Sequence, residues 1–216
     1  IYKTNLTINI NKKNKNLLMI DGLYNLGGDE NKKFKISHDL NKKNPRYFID
    51  FDLAENIFLK FINFKSNSKN KSNIKSEINF LNKKTIFKYI KFTEDRNLIT
   101  INDLSINSKN EIASISGVEV KTFNGNEENN NFKISFKNKI SVTGKNYDAT
   151  HLLNQFSNDN ETNLLKNFTK NVEIKLENLT TKSQIPLKDF NLLGKINKGK
   201  FEKISAKSEF SKKEYL

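Results

Sequence analysis

The sequence predicts a mainly β protein with two or three short helices, and three observations carry that prediction. Apolar and polar residues alternate with a period of two in most of the apolar runs, which places the apolar side chains on one face of a strand. The connections between runs are short and polar, of hairpin length. The stretch from Asn171 to Phe210 repeats the pattern three times within forty residues. In it Val172, Ile174 and Leu176 alternate with Glu173, Lys175 and Glu177; Ile185 and Leu187 resume the alternation. Phe190, Leu192, Gly194 and Ile196 then share one side, Asn197 to Lys200 turns the chain, and Ile204, Ala206 and Phe210 return.

Taken in order, Tyr2, Leu6, Ile8 and Ile10 form a first strand, and the polar run Asn11 to Asn16 turns into a second at Leu17 to Ile20. Gly27-Gly28 breaks that strand, and Phe34 and Ile36 mark a third. Tyr47 to Asp52 is extended, but Leu53, Ile57, Phe58, Phe61 and Ile62 change period and predict a short amphipathic helix over Leu53 to Phe64. Lys65 to Asn73 is a polar loop. Strands follow near Ile74 to Leu81, Thr85 to Phe92, Leu98 to Ile106 and Glu111 to Phe123, with Asn124 to Asn131 read as a low-complexity loop. Phe132, Ile134 and Phe136, then Ile140 and Val142, alternate again. The switch at Gly144 to Asp148 leads into a helix over Ala149 to Phe156, with Asp148 as N-cap, and Asn163 to Lys170 extends or repeats it. The sum is about ten to twelve strands. The corresponding organisation is a β repeat over 1–64, a polar loop over 65–73, a second β repeat over 74–170 ending in short helices, and the start of a further repeat over 171–216. The chain opens on Ile1 and ends after a strand, so it reads as a fragment of a longer protein.

Composition bounds function. The chain has 216 residues and 17 Phe, enough to bury a sizeable core. Its net charge of +14 invites a polyanion-binding reading. Yet Arg46 and Arg96 are the two arginines, whereas bidentate recognition of phosphate and guanine favours Arg. The enrichment in Lys, Asn, Ile and Phe is what AT-rich codons supply. Stacking platforms for nucleic acid need aromatic residues on the Lys-bearing face, and the alternation puts Phe and Ile opposite Lys. The absence of Cys removes disulfides and thiolate metal sites.

No motif carries chemistry. Asp50 and Asp52 share one strand face, which reads as a solvated outer face because no third acid is fixed nearby. His38 and His151 stand too far apart in sequence for a metal-binding helix, and Asp148 with His151 lacks a nucleophile elbow. No enzyme activity, metal or cofactor is expected. What remains is a sheet with one apolar face, which must be hidden by closing a barrel, by packing two layers, or by curling into a trough. About ten strands spaced 4.8 Å apart would make a trough on the order of 50 Å long, room for acyl chains.

Three motifs appear in a telling order. Phe51-Asp52-Leu53-Ala54-Glu55-Asn56-Ile57 ends a strand in Asp-Leu before a helix-like segment. Ser141-Val142-Thr143-Gly144-Lys145-Asn146-Tyr147-Asp148-Ala149 is a strand with a Gly-Lys-x-x-Asp-Ala turn before a Leu-rich helix. VEIKLENL is followed by PLKDFNLLGKI, a Gly turn and a returning strand. Their order resembles the C-terminal repeat region of the AsmA-like envelope proteins, the YhdP and TamB group, over roughly Tyr47 to Phe210. The chain departs from that family in its Lys and Asn content, and Asn63-Phe64-Lys65 stands where many relatives carry Trp-Arg-Lys type residues. The resemblance implies an extended curved antiparallel sheet forming an open hydrophobic groove, a β-taco. It also implies location in the periplasm, anchored to the inner membrane by a segment outside this chain. The partners it implies are phospholipid acyl chains and membranes, with no nucleic acid, and the activity is lipid transport between inner and outer membranes in support of envelope integrity. The expected groove or core positions are Phe132, Ile134, Phe136, Ile140, Val142, Val172, Ile174, Leu176, Leu192 and Ile204. The rival readings are a closed, adhesin-like β scaffold and a basic β module that binds nucleic acid or another polyanion.

Overall fold

The computed structural model describes residues 4–14, 17–26, 30–40, 45–67, 70–81, 83–151, 169–183, 185–198 and 200–210. The described residues are mainly β and contain no α-helix. In chain order the strands are β1 (Thr4–Asn14), β2 (Leu17–Leu26), β3 (Lys32–Asp39), β4 (Arg46–Asp52), β5 (Phe58–Leu59), β6 (Phe64–Lys65), β7 (Ser72–Leu81) and β8 (Lys84–Glu94). They continue with β9 (Asn97–Asn107), β10 (Ile112–Ser114), β11 (Gly117–Asn124), β12 (Glu127–Ser135), β13 (Ile140–Asp148), β14 (Lys170–Thr180), β15 (Leu187–Asn197) and β16 (Lys200–Phe210). They fall into two compact units: one of residues 1–56 and 66–115, the other of residues 57–65 and 116–216.

In the first unit the sheet order is β1-β2-β3-β4-β7-β8-β9, all antiparallel, with β10 beside β9. Register follows the hydrophobic pattern, because slipping one residue would turn every apolar side chain to the other face. Ile8, Gly22, Phe34, Phe51, Ile74, Phe92 and Ile99 stand opposite one another in a row across seven strands. Ile10, Ile20, Ile36, Ile49, Ser76, Ile90 and Ile101 make a second row beside it. Ser76 interrupts the second row but is buried, its hydroxyl donating to the Tyr89 carbonyl at 2.7 Å. The rings of Tyr24, Phe34 and Phe51 pack together at one end, with centroids 5.6 to 6.4 Å apart, and the Tyr24 hydroxyl donates to the Asp52 carbonyl.

In the second unit the order is β11-β12-β13-β14-β15-β16. Every pair is antiparallel except β13 and β14, which run parallel over eight paired positions. Val118, Ile134, Val142, Ile174, Leu192 and Ala206 form one apolar row, and Val120, Phe132, Gly144, Leu176 and Phe190 the next. The opposite face carries Glu119, Lys133, Thr143, Lys175, Asn191 and Lys207 in the same register. A buried cluster of Ile140, Val172 and Ile196, with Ile134, Phe136, Ile174 and Leu192 packed against it, lies on this face where β13 and β14 begin and β15 ends. Burying each such side chain contributes about 1.5–3 kcal/mol.

The helix expected over Leu53 to Phe64 is not formed. Leu53 N–H still donates to the Ser72 carbonyl at 2.8 Å, and the chain then makes the two short strands β5 and β6 around a single 3-10 turn, Lys60–Ile62. The apolar spacing that suggests a helix includes Phe58 and Phe61, which are 50% and 41% exposed. The buried pair is Ile62 and Phe64, two residues apart, and Asn63 between them is left-handed at φ 46°. The loop expected over Asn124 to Asn131 is also mostly strand, since β11 runs to Asn124 and β12 begins at Glu127. The turn expected at Gly144 to Asp148 is the second half of β13, and Gly144 serves there as a point of close approach between strands. Of the helices expected over Ala149 to Phe156 and Asn163 to Lys170, residues 152–168 lie outside the described residues; Ala149, Thr150 and His151 are not helical.

Candidate functional site

The apolar face of the second unit is the candidate site, and the ten residues expected to line a groove or a core separate there by exposure. Phe132, Ile140, Val142, Val172 and Leu176 are buried. Ile134, Phe136, Ile174 and Leu192 are half-buried beside them. Ile204, on the edge strand β16, is 57% exposed. Val118, Val120 and Ile196 belong to the same face without being among those ten positions; Ile196 shares the alternation of Phe190, Leu192 and Gly194, and Val118 and Val120 alternate with Glu119 and Lys121.

One end of this face is closed by the segment Phe58–Lys65, a plug between β4 and β7 in sequence. Ile62 is 0% and Phe64 2% exposed. Around them Asn130 and Thr122 are fully buried, and such polar groups need partners. Asn130 Nδ2 donates to the Ile62 carbonyl at 2.7 Å and to Thr122 Oγ1 at 2.8 Å, while its Oδ1 accepts the Asp148 N–H at 2.8 Å. Asn63 Nδ2 donates to Asp148 Oδ2 at 2.8 Å. The Tyr147 hydroxyl donates to the Phe61 carbonyl at 3.0 Å, and its ring lies 4.7 Å from that of Phe132. Burial, with the Asp148 carboxylate adding to it, pushes the Tyr147 hydroxyl well above the usual phenol range. The carbonyls of Phe61 and Ile62, which would have no partner inside the expected helix because they fall in its last turn, are taken by side chains. Asp148 Oδ1 accepts from the Thr150 N–H at 3.1 Å and Oγ1 at 2.6 Å, a local side-chain-to-backbone turn. The run of Asn129, Asn130 and Asn131 that reads as low complexity is therefore the polar frame of this end.

The polar candidates lie elsewhere. Asp50 and Asp52 do share a face, but Asp52 is buried, against the expectation of a solvated pair. Asn73 Nδ2 bridges the two carboxylates at 2.7 and 3.0 Å, and Lys75 and Lys71 pair with Asp50 and Asp52 at 3.0 and 3.1 Å. Against the opposing effect of burial, the hydrogen bonds from Asn73 and Lys75 hold the Asp50 carboxyl below its usual range. These groups line a depression of about 690 Å³ over Gly22, with four lysines facing three aspartates. His38 stacks on Tyr47 at 4.3 Å and His151 meets Phe58 edge-on at 6.3 Å. Glu94 is 1% exposed and accepts from Asn67 N–H, Ser72 Oγ and Asn97 Nδ2 at 2.8, 3.0 and 3.3 Å, tying together the chain that enters β7 and the turn between β8 and β9. Among the described residues no group of three or more His, Cys, Asp or Glu is placed to hold a metal ion, and no helix is long and apolar enough to cross a membrane.

No protein-family model, curated protein or solved structure matches the chain. The lysine-bearing face is occupied in part by its own ion pairs. Lys133 meets Glu119 at 3.1 Å across β11 and β12, Lys175 meets Glu173 at 2.7 Å, and Lys195 meets Glu202 at 3.2 Å. Hydrogen bonds from Lys139 and Lys175 draw the Glu173 carboxyl down to about 2.

Proposed function

We propose that the chain is a segment of a bridge-like lipid transport protein, in which phospholipid acyl chains lie on the apolar sheet faces and slide without chemical change. One observation carries the reading: apolar rows continue in register across every strand of a unit, yet they are left half-open. Ile134, Ile174 and Leu192 keep partial exposure beside a buried core, and Ile204 stands open at the edge. In the first unit Leu6, Ile8 and Ile10 of β1 are 59%, 50% and 68% exposed. Monomeric soluble domains rarely expose contiguous apolar patches without using them. A closed scaffold would bury such rows, and a polyanion-binding module would place its aromatics among the lysines. In this reading the sheet curves into an open hydrophobic groove, short helices accompany it, and the protein works in the periplasm between inner and outer membranes, anchored by a segment outside this chain. The motif order that resembles the AsmA-like repeat region supports the same reading.

Native mass spectrometry of the chain after incubation with phosphatidylethanolamine and phosphatidylglycerol vesicles tests it. The wild-type chain is expected to retain phospholipid, and the pair Ile134→Asp and Ile174→Asp to reduce the lipid-bound fraction at least tenfold while circular dichroism keeps its β signature. A lipid-free wild-type chain, or undiminished binding by a folded variant, contradicts the proposal.

A further inference from the structure

We propose that the end of the second unit formed by Thr122, Asn129, Asn130, Tyr147 and Asp148 is a peptide-recognition socket, and that Phe58–Lys65 is a separable plug filling it. The ligand class is a short turn peptide of the pattern apolar–Asn–apolar. Three features point to recognition beyond ordinary packing. The socket reads main chain: Asn130, Tyr147 and Asn129 donate to the carbonyls of Ile62, Phe61 and Asn63 at 2.7, 3.0 and 3.4 Å. It reads one side chain by hydrogen bonding, Asn63 on Asp148, and the apolar residues on either side of Asn63, Ile62 and Phe64, are buried. Asn at the centre also suits the left-handed backbone there, which Asn tolerates better than most residues.

The socket is held by bonds that do not involve the plug. Thr122 Oγ1 donates to Asn129 Oδ1 at 2.9 Å, Asn130 Nδ2 donates to Thr122 Oγ1, Asp148 N–H donates to Asn130 Oδ1, and Thr150 holds the other oxygen of Asp148. Such preorganisation lowers the ordering cost of binding. The plug, for its part, closes on itself. Phe58 pairs with Lys65 and Leu59 with Phe64, and the Asn63 N–H donates to the Lys60 carbonyl at 3.1 Å. The chain leading into it, Ala54, Glu55 and Asn56, is exposed. A preformed receptor and a self-closed ligand, entered through exposed chain on its N-terminal side while Ser66 on the other side is buried, are the parts of an exchangeable contact. The socket takes its peptide whether or not the rest of the face carries lipid.

The test uses the full chain with Ile62→Ser and Phe64→Ser, which withdraws both buried apolar side chains, and a fluorescent synthetic peptide of residues 57–65. The peptide is expected to bind this variant saturably and at least tenfold more tightly than the wild-type chain, whose socket is filled, while a scrambled peptide does not bind. No binding, or equal binding to both chains, overturns the proposal. Should the double variant not fold, a second measurement decides. The chain lacks Cys, so Ile62→Cys and, separately, Val120→Cys each report one buried position by thiol labelling under native conditions. Labelling of Ile62→Cys at least tenfold ahead of Val120→Cys supports a separable plug, and equal rates overturn it.

Discussion

Asn130 has no exposed surface and uses both ends of its amide. Its Nδ2 serves the Ile62 carbonyl and Thr122 Oγ1, and its Oδ1 takes the Asp148 N–H. Truncation leaves three groups without this partner, and a buried polar group stripped of its hydrogen bond costs about 1–3 kcal/mol. Asn130→Ala is therefore expected to lower the stability of the chain by about 2–4 kcal/mol, read as a fall in the urea midpoint at unchanged slope. Asn129→Ala, which strips the buried Thr122 hydroxyl of its 2.9 Å acceptor and loses a long 3.4 Å bond to the Asn63 carbonyl, is expected to cost about 1–2 kcal/mol. At this scale the sequence is least legible. NGNEENNN looks like a solvated loop because Asn is common throughout the chain, and nothing local marks which Asn meets a carbonyl 68 positions away.

At the scale of the element, period-two patterning locates the strands well, because register and burial depend on the same alternation. Apolar spacing misleads where it does not track burial. Leu53 to Phe64 has helical spacing, yet Phe58 and Phe61 are exposed, the buried pair is Ile62 and Phe64, and Asn63 between them is left-handed. Gly144 misleads in another way. Glycine marks turns in sequence, but here it lies inside β13 because a Cβ would overlap the Asn131 carbonyl oxygen and come within 2.5 Å of Phe132 Cα. Gly22 in β2 is equally crowded, since a Cβ there would overlap the Thr7 carbonyl oxygen. These contacts are with backbone, which cannot swing aside as a side chain can. Gly144→Ala is accordingly expected to destabilise the chain by about 1–3 kcal/mol, as overpacking does. Thermal unfolding followed by circular dichroism checks this, and a midpoint equal to that of the wild-type chain would refute the close-approach role.

At the scale of the whole molecule, each unit taken by itself divides in the same way: apolar rows on one face, lysine and asparagine on the other. That division is legible in the sequence, since it follows from alternation alone, and so are most of the residues on the apolar face of the second unit. Exposure is not legible there. Alternation assigns Ile140 and Ile204 to one face alike, but Ile140 sits in a cluster with Val172 and Ile196 while Ile204 stands on the edge strand. The strong positive charge belongs to the opposite face, where cross-strand pairs such as Lys133 with Glu119 take up part of it; exposed pairs of this kind contribute little stability. The proposed lipid path depends on a difference between two faces of the same strands, and photocrosslinking from single positions measures that difference directly. A diazirine amino acid at Ile134, Ile174 or Leu192, in the chain incubated with phospholipid vesicles, is expected to yield lipid adducts. The same group at Lys133, Lys175 or Leu193, one residue away and on the other face, is expected to yield at least tenfold fewer. Equal adducts from both faces, or none from the apolar one, would contradict the assignment of that face to lipid.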